Sequence, residues 1–156
     1  MTDAAEGRFR IGEVAQQAGV STRTLRYYQE LGLLDPGQSP GGTRRYSAND
    51  VARLRRILEL RDVMGFDLER ISTILHAEDR LAELREEVRA GVSVARRREV
   101  VSEAITLNNA MRHQVHDKLE VLESFLVELE TKAARYRQIA SELDLDVPGE
   151  TLPAAR

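Results

Sequence analysis

The sequence predicts a mainly α-helical protein in which a small head of short helices is followed by one long helix. Three features carry this expectation. In the first half of the chain, apolar residues recur every three or four positions in four successive stretches. A run rich in proline and glycine separates the second stretch from the third. From Val115 to Leu143 the apolar positions alternate four and three apart without a break. A chain of 156 residues that is 42% hydrophobic suits one compact domain and an appendage.

The first helix is expected over Ile11 to Ala18, with Ile11, Val14, Ala15 and Ala18 on one face, and Gly19 ends it. Ser21 then stands as an N-cap whose hydroxyl accepts from a free amide of the next turn, and the second helix runs from Thr22 to Leu31, stopping at Gly32. Ala15 permits close approach, Gly19 supplies the turn, and Leu25 and Tyr28 return an apolar face to the first helix, as in a helix-turn-helix. On spacing alone an ordinary αα-hairpin fits equally well. The stretch from Asp35 to Gly42 suits a loop or short hairpin with its tip near Gly41-Gly42, and Thr43 to Tyr46 reads as its return strand. Ser47 to Asp50 reads as the N-cap and acidic first turn of a third helix. Val51, Leu54, Ile57 and Leu58 face inward there, Arg53, Arg55 and Arg56 face outward, and Gly65 closes it. Asp67 caps a fourth helix with Leu68, Ile71, Ile74 and Leu75 as its buried stripe.

The apolar positions of the last helix are Val115, Leu119, Leu122, Leu126, Leu129, Ala133, Tyr136, Ala140 and Leu143. Such a seam runs for ~42 Å at a rise of 1.5 Å per residue, too long for so small a head to cover. It needs a partner helix. An intramolecular hairpin with residues 80–112 is the competing explanation, but the apolar spacing there is irregular and Gly91 interrupts it, so dimerisation is favoured.

Composition removes several classes. The chain has no cysteine, which excludes disulfides, thiolate metal sites and iron–sulfur clusters. The N-terminal MTDAAEGRFR has no apolar signal region, and no window approaches the ~18 apolar residues of a membrane span, so a soluble, cytoplasmic chain with no membrane partner is expected. No nucleophile–base pair, phosphate loop or metal cluster points to an enzyme. His113, His116 and Asp117 have a spacing that permits metal binding on one helical face, but a tight site wants further ligands, and no metal or cofactor is expected. The net charge of −3 hides an asymmetry: residues 21–61 hold 8 arginines against 4 carboxylates, whereas residues 77–156 hold 12 basic against 16 acidic residues. A basic head on an acidic stalk concentrates phosphate attraction at one end.

The segments IGEVAQQAGVSTRTLRYYQELGLL, GGTRRYSANDVARLRRI and MGFDLERISTIL, in one collinear run over residues 9–76, closely resemble the DNA-binding head of MerR-family regulators. The resemblance implies a winged helix-turn-helix, with a recognition helix for the major groove, a hairpin wing and a second helical wing. It also implies a long antiparallel coiled-coil dimerisation helix. The organisation expected is a flexible tail (1–8), a winged helix-turn-helix DNA-binding domain (9–76), a helical connector open to an effector (77–114), a coiled-coil dimerisation helix (115–143) and a second flexible tail (144–156).

Carried over by position, the recognition surface falls on Thr22, Arg23, Arg26 and Tyr27, with the helix N-terminus at Ser21 favouring an anion. The wing's phosphate grip falls on Arg44 and Tyr46, with Arg45 between them as an alternating strand residue. Arginine forks onto guanine edges or phosphates, and tyrosine hydrogen-bonds a phosphate while its ring packs on sugar. Tyr28 shares a face with Leu25 and is expected in the core. Family members often carry an aromatic where Thr43 stands and an arginine near Gln38, which implies a looser wing here. The partners implied are double-stranded promoter DNA, a second copy of the chain and RNA polymerase at the promoter; the effector is unassigned. An antiparallel pairing centred near Leu129 would bring Leu122 beside the partner's Tyr136. The rival reading is a protein-interaction adaptor with a degenerate helix-turn-helix, against which the intact Arg23, Arg26, Arg44 and Tyr46 argue.

Overall fold

The computed structural model describes residues 9–37 and 45–145, which form five α-helices: α1 (Ile11–Ala18), α2 (Thr22–Glu30), α3 (Ala48–Leu58), α4 (Leu68–Ala90) and α5 (Val94–Glu142). A π-helical turn, Glu59–Val63, continues α3. The chain divides into two compact units whose boundary falls between Leu107 and Asn108.

In the first unit, the turn between α1 and α2 has a local cause. Gly19 adopts φ +67°, and the amide of Val20 returns to the carbonyl of Ala15 at 3.0 Å, which satisfies a helix-end acceptor while reversing the chain. The Ser21 hydroxyl then accepts from the amide of Thr24 at 3.0 Å and starts α2. Gly32, at φ +69°, ends α2 in the same way: the Leu33 amide donates to the Tyr28 carbonyl at 2.9 Å, and the reversal drives Leu33 and Leu34 into the core. Val14 and Ala15 of α1 bury against the Leu25 and Tyr28 face of α2, and Ile11 and Ala18 are half-buried at its edge.

The expected tip of the loop at Gly41-Gly42 lies outside the described residues. At its base the Arg45 amide donates to the Gly37 carbonyl at 3.1 Å. Tyr46 forms an isolated antiparallel bridge with Phe9, so the return segment pairs there with the residue that precedes α1. Among the described residues no longer strand is present. Ser47 and Asp50 then form a reciprocal capping box: the Asp50 amide donates to the Ser47 hydroxyl at 3.1 Å and the Ser47 amide to the Asp50 carboxylate at 2.7 Å.

The third helix does not run as an α-helix to Gly65. After Leu58 it widens, and the Met64 amide donates to the Glu59 carbonyl five residues back at 3.2 Å. The reason lies in the side chains. An unbroken α period from Leu54 and Ile57 would carry Arg61 into the buried stripe. The wider turn buries Leu60 instead and leaves Arg61 at the edge of the core. Gly65 and the buried Phe66 lead into α4, whose N-terminus is capped by Asp67, the Arg70 amide donating to its carboxylate at 2.8 Å.

The fourth helix continues to Ala90, so residues 77–90 belong to it, and Gly91 at φ +92° turns the chain into α5. Arg80 pairs with Glu103 at 2.6 Å and Glu87 with Arg96 at 2.6 Å. Advancing along α4 from Arg80 to Glu87 thus corresponds to retreating along α5 from Glu103 to Arg96, which is antiparallel packing, and Leu84 and Val100 are buried within it. This hairpin joins α4 to the first turns of α5 and lies wholly within the first unit; it is a different pairing from a fold-back of the seam onto residues 80–112. Among the described residues no buried side-chain nitrogen or oxygen lacks a partner.

In the second unit the remainder of α5 is an unbroken helix. The larger seam residues, Val115, Leu119, Leu122, Leu126, Leu129, Tyr136 and Leu143, are 44–65% exposed in the single chain. Ala140 differs from these: it is buried in the single chain, at the point where Asp144 adopts φ +47° and the Leu145 amide returns to the Ala140 carbonyl at 2.9 Å.

Candidate nucleic-acid interface

The residues expected to form a recognition surface share one face of α2. Thr22, Arg23, Arg26 and Tyr27, with Glu30, line one shallow, open depression. Their spacing of three and four residues puts them on one helical face. On the opposite face Leu25 and Tyr28 are fully buried, as expected for Tyr28. Tyr27 remains about half exposed, its ring centroid 6.4 Å from that of Tyr28. The Ser21 hydroxyl is engaged by the amide and the hydroxyl of Thr24, so what it leaves for an anion is the helix N-terminus rather than a free hydroxyl.

The arginines sort into two groups. Among the described residues Arg23 and Arg26 make no ion pair, and both are exposed. By contrast Arg53 donates to the Leu33 carbonyl at 2.6 Å and to both oxygens of Asp79, and Arg56 forks onto Glu78 and reaches Glu59. These two, read in the sequence as facing outward, instead tie α3 to α4 and to the end of α2. The Arg56 guanidinium is raised above its ordinary value, chiefly by its hydrogen bond to Glu78. Arg55 stays exposed.

The residues expected on a wing fare differently. Arg44 lies outside the described residues, and Arg45 is half-buried. Tyr46, expected to grip a phosphate, is fully buried, and its hydroxyl accepts from the side-chain amide of Gln29 on α2. The Phe9 bridge and the Gln29 contact hold Tyr46 inside the head, so its ring joins the segment before α3 to α2. Three participants were missed in the sequence: Glu30, which puts a carboxylate at the rim of the depression, Gln29, and Arg61, which donates to the Tyr28 hydroxyl. Glu30 was legible from its helical period with Tyr27 and Arg26. Nothing local signals the contacts of Gln29 and Arg61, which span 17 and 33 residues.

The histidines do not converge. His113 faces Asp117 at 3.8 Å and His116 faces Glu120 at 3.2 Å, so each ring turns to its own carboxylate. Among the described residues no group of three or more potential ligands could hold a metal ion.

A helix-turn-helix with unpaired arginines on the outer face of its second helix is an arrangement suited to DNA binding. The family model described as MerR HTH family regulatory protein matches residues 9–78. The chain is 34% identical over 119 residues to the mercuric resistance operon regulatory protein of Pseudomonas fluorescens, a match covering 67% of this chain and 80% of that one. It is 27% identical over 117 residues to the HTH-type transcriptional regulator YfmP of Bacillus subtilis, covering 74% and 84% respectively. Other relatives match over 74 to 80 residues, between 31% and 55% of their own length. Among solved structures, a MerR-family transcriptional regulator from Bacillus cereus shares the fold with a TM-score of 0.51 at 20% identity, covering 91% of this chain and 87% of that one. The chain belongs to the MerR family of transcription regulators.

Proposed function

We propose that this regulator binds a pseudo-palindromic promoter operator as a homodimer and distorts it to control transcription initiation by RNA polymerase. The observation that carries this reading is the sorting of the arginines: Arg23 and Arg26 stand unpaired on the outer face of α2, while Arg53, Arg56 and Arg61 are tied to carboxylates. Free guanidinium forks suit guanine edges in a major groove, and the positive end of α2 suits a phosphate. Arg44 supplies a backbone contact from the wing, with Arg45 beside it.

A single head reads one half-site, so two copies must be joined. The exposed seam of α5 provides the surface, pairing antiparallel with the partner's. Bending an operator costs on the order of several kcal/mol, which is offset by backbone contacts outside the bases read directly. Among the described residues no helix is long and apolar enough to cross a membrane, and a promoter-binding role puts the chain in the cytoplasm.

The test is a panel of operator duplexes. Arg23→Ala and Arg26→Ala should lower affinity and relax base preference, since a good base contact carries ~1–3 kcal/mol of discrimination, whereas Arg44→Ala should weaken binding to all sequences alike. Unchanged base preference in both recognition-helix variants would refute the assignment. Failure of the wild-type chain to bind any promoter fragment at any salt concentration would favour an adaptor acting through its coiled coil.

A further inference from the structure

We propose that the contact between Tyr28 and Arg61 is a positioning device that sets the rotation of α2 about its own axis, and so decides where Arg23, Arg26 and Tyr27 meet the bases. The inference rests on α2 being the recognition helix. Tyr28 lies on the back of α2, directly after Tyr27, with its ring fully buried and its hydroxyl accepting from the Arg61 guanidinium. Arg61 is itself held: its Nε and Nη2 fork onto the carboxylate of Asp62 at 2.5 and 2.8 Å. The π-helical turn Glu59–Val63 is what leaves Arg61 at the core's edge, within reach of Tyr28. A second polar tie, Gln29 to the Tyr46 hydroxyl, engages the next residue of the same helix.

Close packing of Leu25 and the Tyr28 ring limits the rotation of the helix, but these apolar contacts carry no directional preference of their own. Hydrogen bonds are directional, and their useful range of donor–acceptor distance is only about 0.5 Å wide. A rotation of α2 by about 10° carries an atom ~6 Å from its axis through ~1 Å. That displacement is enough to spoil a two-pronged base contact, whereas a phosphate contact from a long arginine adapts to it. The device therefore acts on discrimination between sequences and leaves the general attraction to DNA intact.

The experiment uses the full chain. Wild-type protein selects a preferred duplex from a random library, and binding to that duplex and to a scrambled one is titrated at fixed salt. In Tyr28→Phe the core ring is retained and only the hydroxyl is lost. The ratio of selected to scrambled affinity should fall roughly threefold to tenfold, the scale of one net hydrogen bond, with scrambled-duplex binding and helix content unchanged. Arg61→Ala should produce the same loss, the double variant no further loss, and Arg61→Lys a partial recovery. An unchanged ratio in both single variants, whatever happens to Tm, would overturn the proposal. So would an Arg61→Ala variant that weakens both duplexes equally and flattens the salt dependence while Tyr28→Phe does nothing, because Arg61 would then be a phosphate contact. A wild-type chain that selects no sequence would overturn the recognition-helix reading itself.

Discussion

Replacing Leu126 with aspartate tests the proposed dimer at a central position of the seam. Leu126 keeps 54% of its surface free in the single chain. Covering that remainder in a dimer is worth about 1 kcal/mol, half the value of fully burying a leucine. An aspartate there loses this contribution and also takes a carboxylate from water into an apolar seam, which costs about 2 kcal/mol even with partial relaxation. In a twofold-symmetric pair each loss occurs twice, so the variant should weaken association by about 6 kcal/mol, roughly four orders of magnitude in Kd. Sedimentation equilibrium across a wide concentration range reads this directly. Val127→Asp is the control: Val127 is 60% exposed, yet it lies about 100° around the helix from Leu126 and outside the seam, so the substitution should shift stability or association by no more than about 0.5 kcal/mol. Leu126→Asp remaining dimeric at wild-type concentrations, or Val127→Asp dissociating equally, would show that the chains associate through another surface. Operator binding should fall with the dimer.

Ser47→Ala should cost about 1 kcal/mol of head stability by removing the hydroxyl that caps α3, measured by urea unfolding against wild type. The hairpin of α4 and α5 should loosen in acid. The Arg80 and Arg96 guanidiniums hold Glu103 and Glu87, respectively, below the ordinary carboxylate range through direct hydrogen bonds. Depressed folded-state values mean that this stabilisation is fully present above the ordinary glutamate value of about 4.3 and is lost as pH falls through the folded values. Amide protection in residues 80–103, taken relative to the intrinsic exchange rate at each pH, should therefore fall below about pH 4, and Glu87→Gln with Glu103→Gln should remove that dependence. Purified protein should hold no stoichiometric metal after dialysis; elemental analysis finding one zinc or nickel per chain, lost in His113→Ala, would make the exposed histidines a sensor.

Much of the head was legible because its determinants are local. Gly19 and Gly32 end helices where a left-handed residue is needed, Ser21, Ser47 and Asp67 cap amides three residues on, and the stripes of Val14, Leu25, Leu54 and Ile71 follow the helical period. The outward placement of Arg23, Arg26 and Tyr27 follows from that same period once Leu25 and Tyr28 turn inward. The apolar alternation along α5 is legible in the same way, and its larger side chains are exposed in the single chain.

What the sequence could not determine is which polar groups find each other across the fold. Arg53, Arg56 and Arg61 share a composition with Arg23 and Arg26, and only the packing of α4 beside α3 and the widened turn at Glu59–Val63 bring carboxylates or a phenol to the first three. Tyr46 reads as an exposed wing residue until Phe9 and Gln29 draw it inside. Helical period, caps and turns are set by residues within a few positions of one another and are therefore written in the chain. The partner of a long polar side chain depends on contacts between distant segments, and the tertiary structure alone decides it.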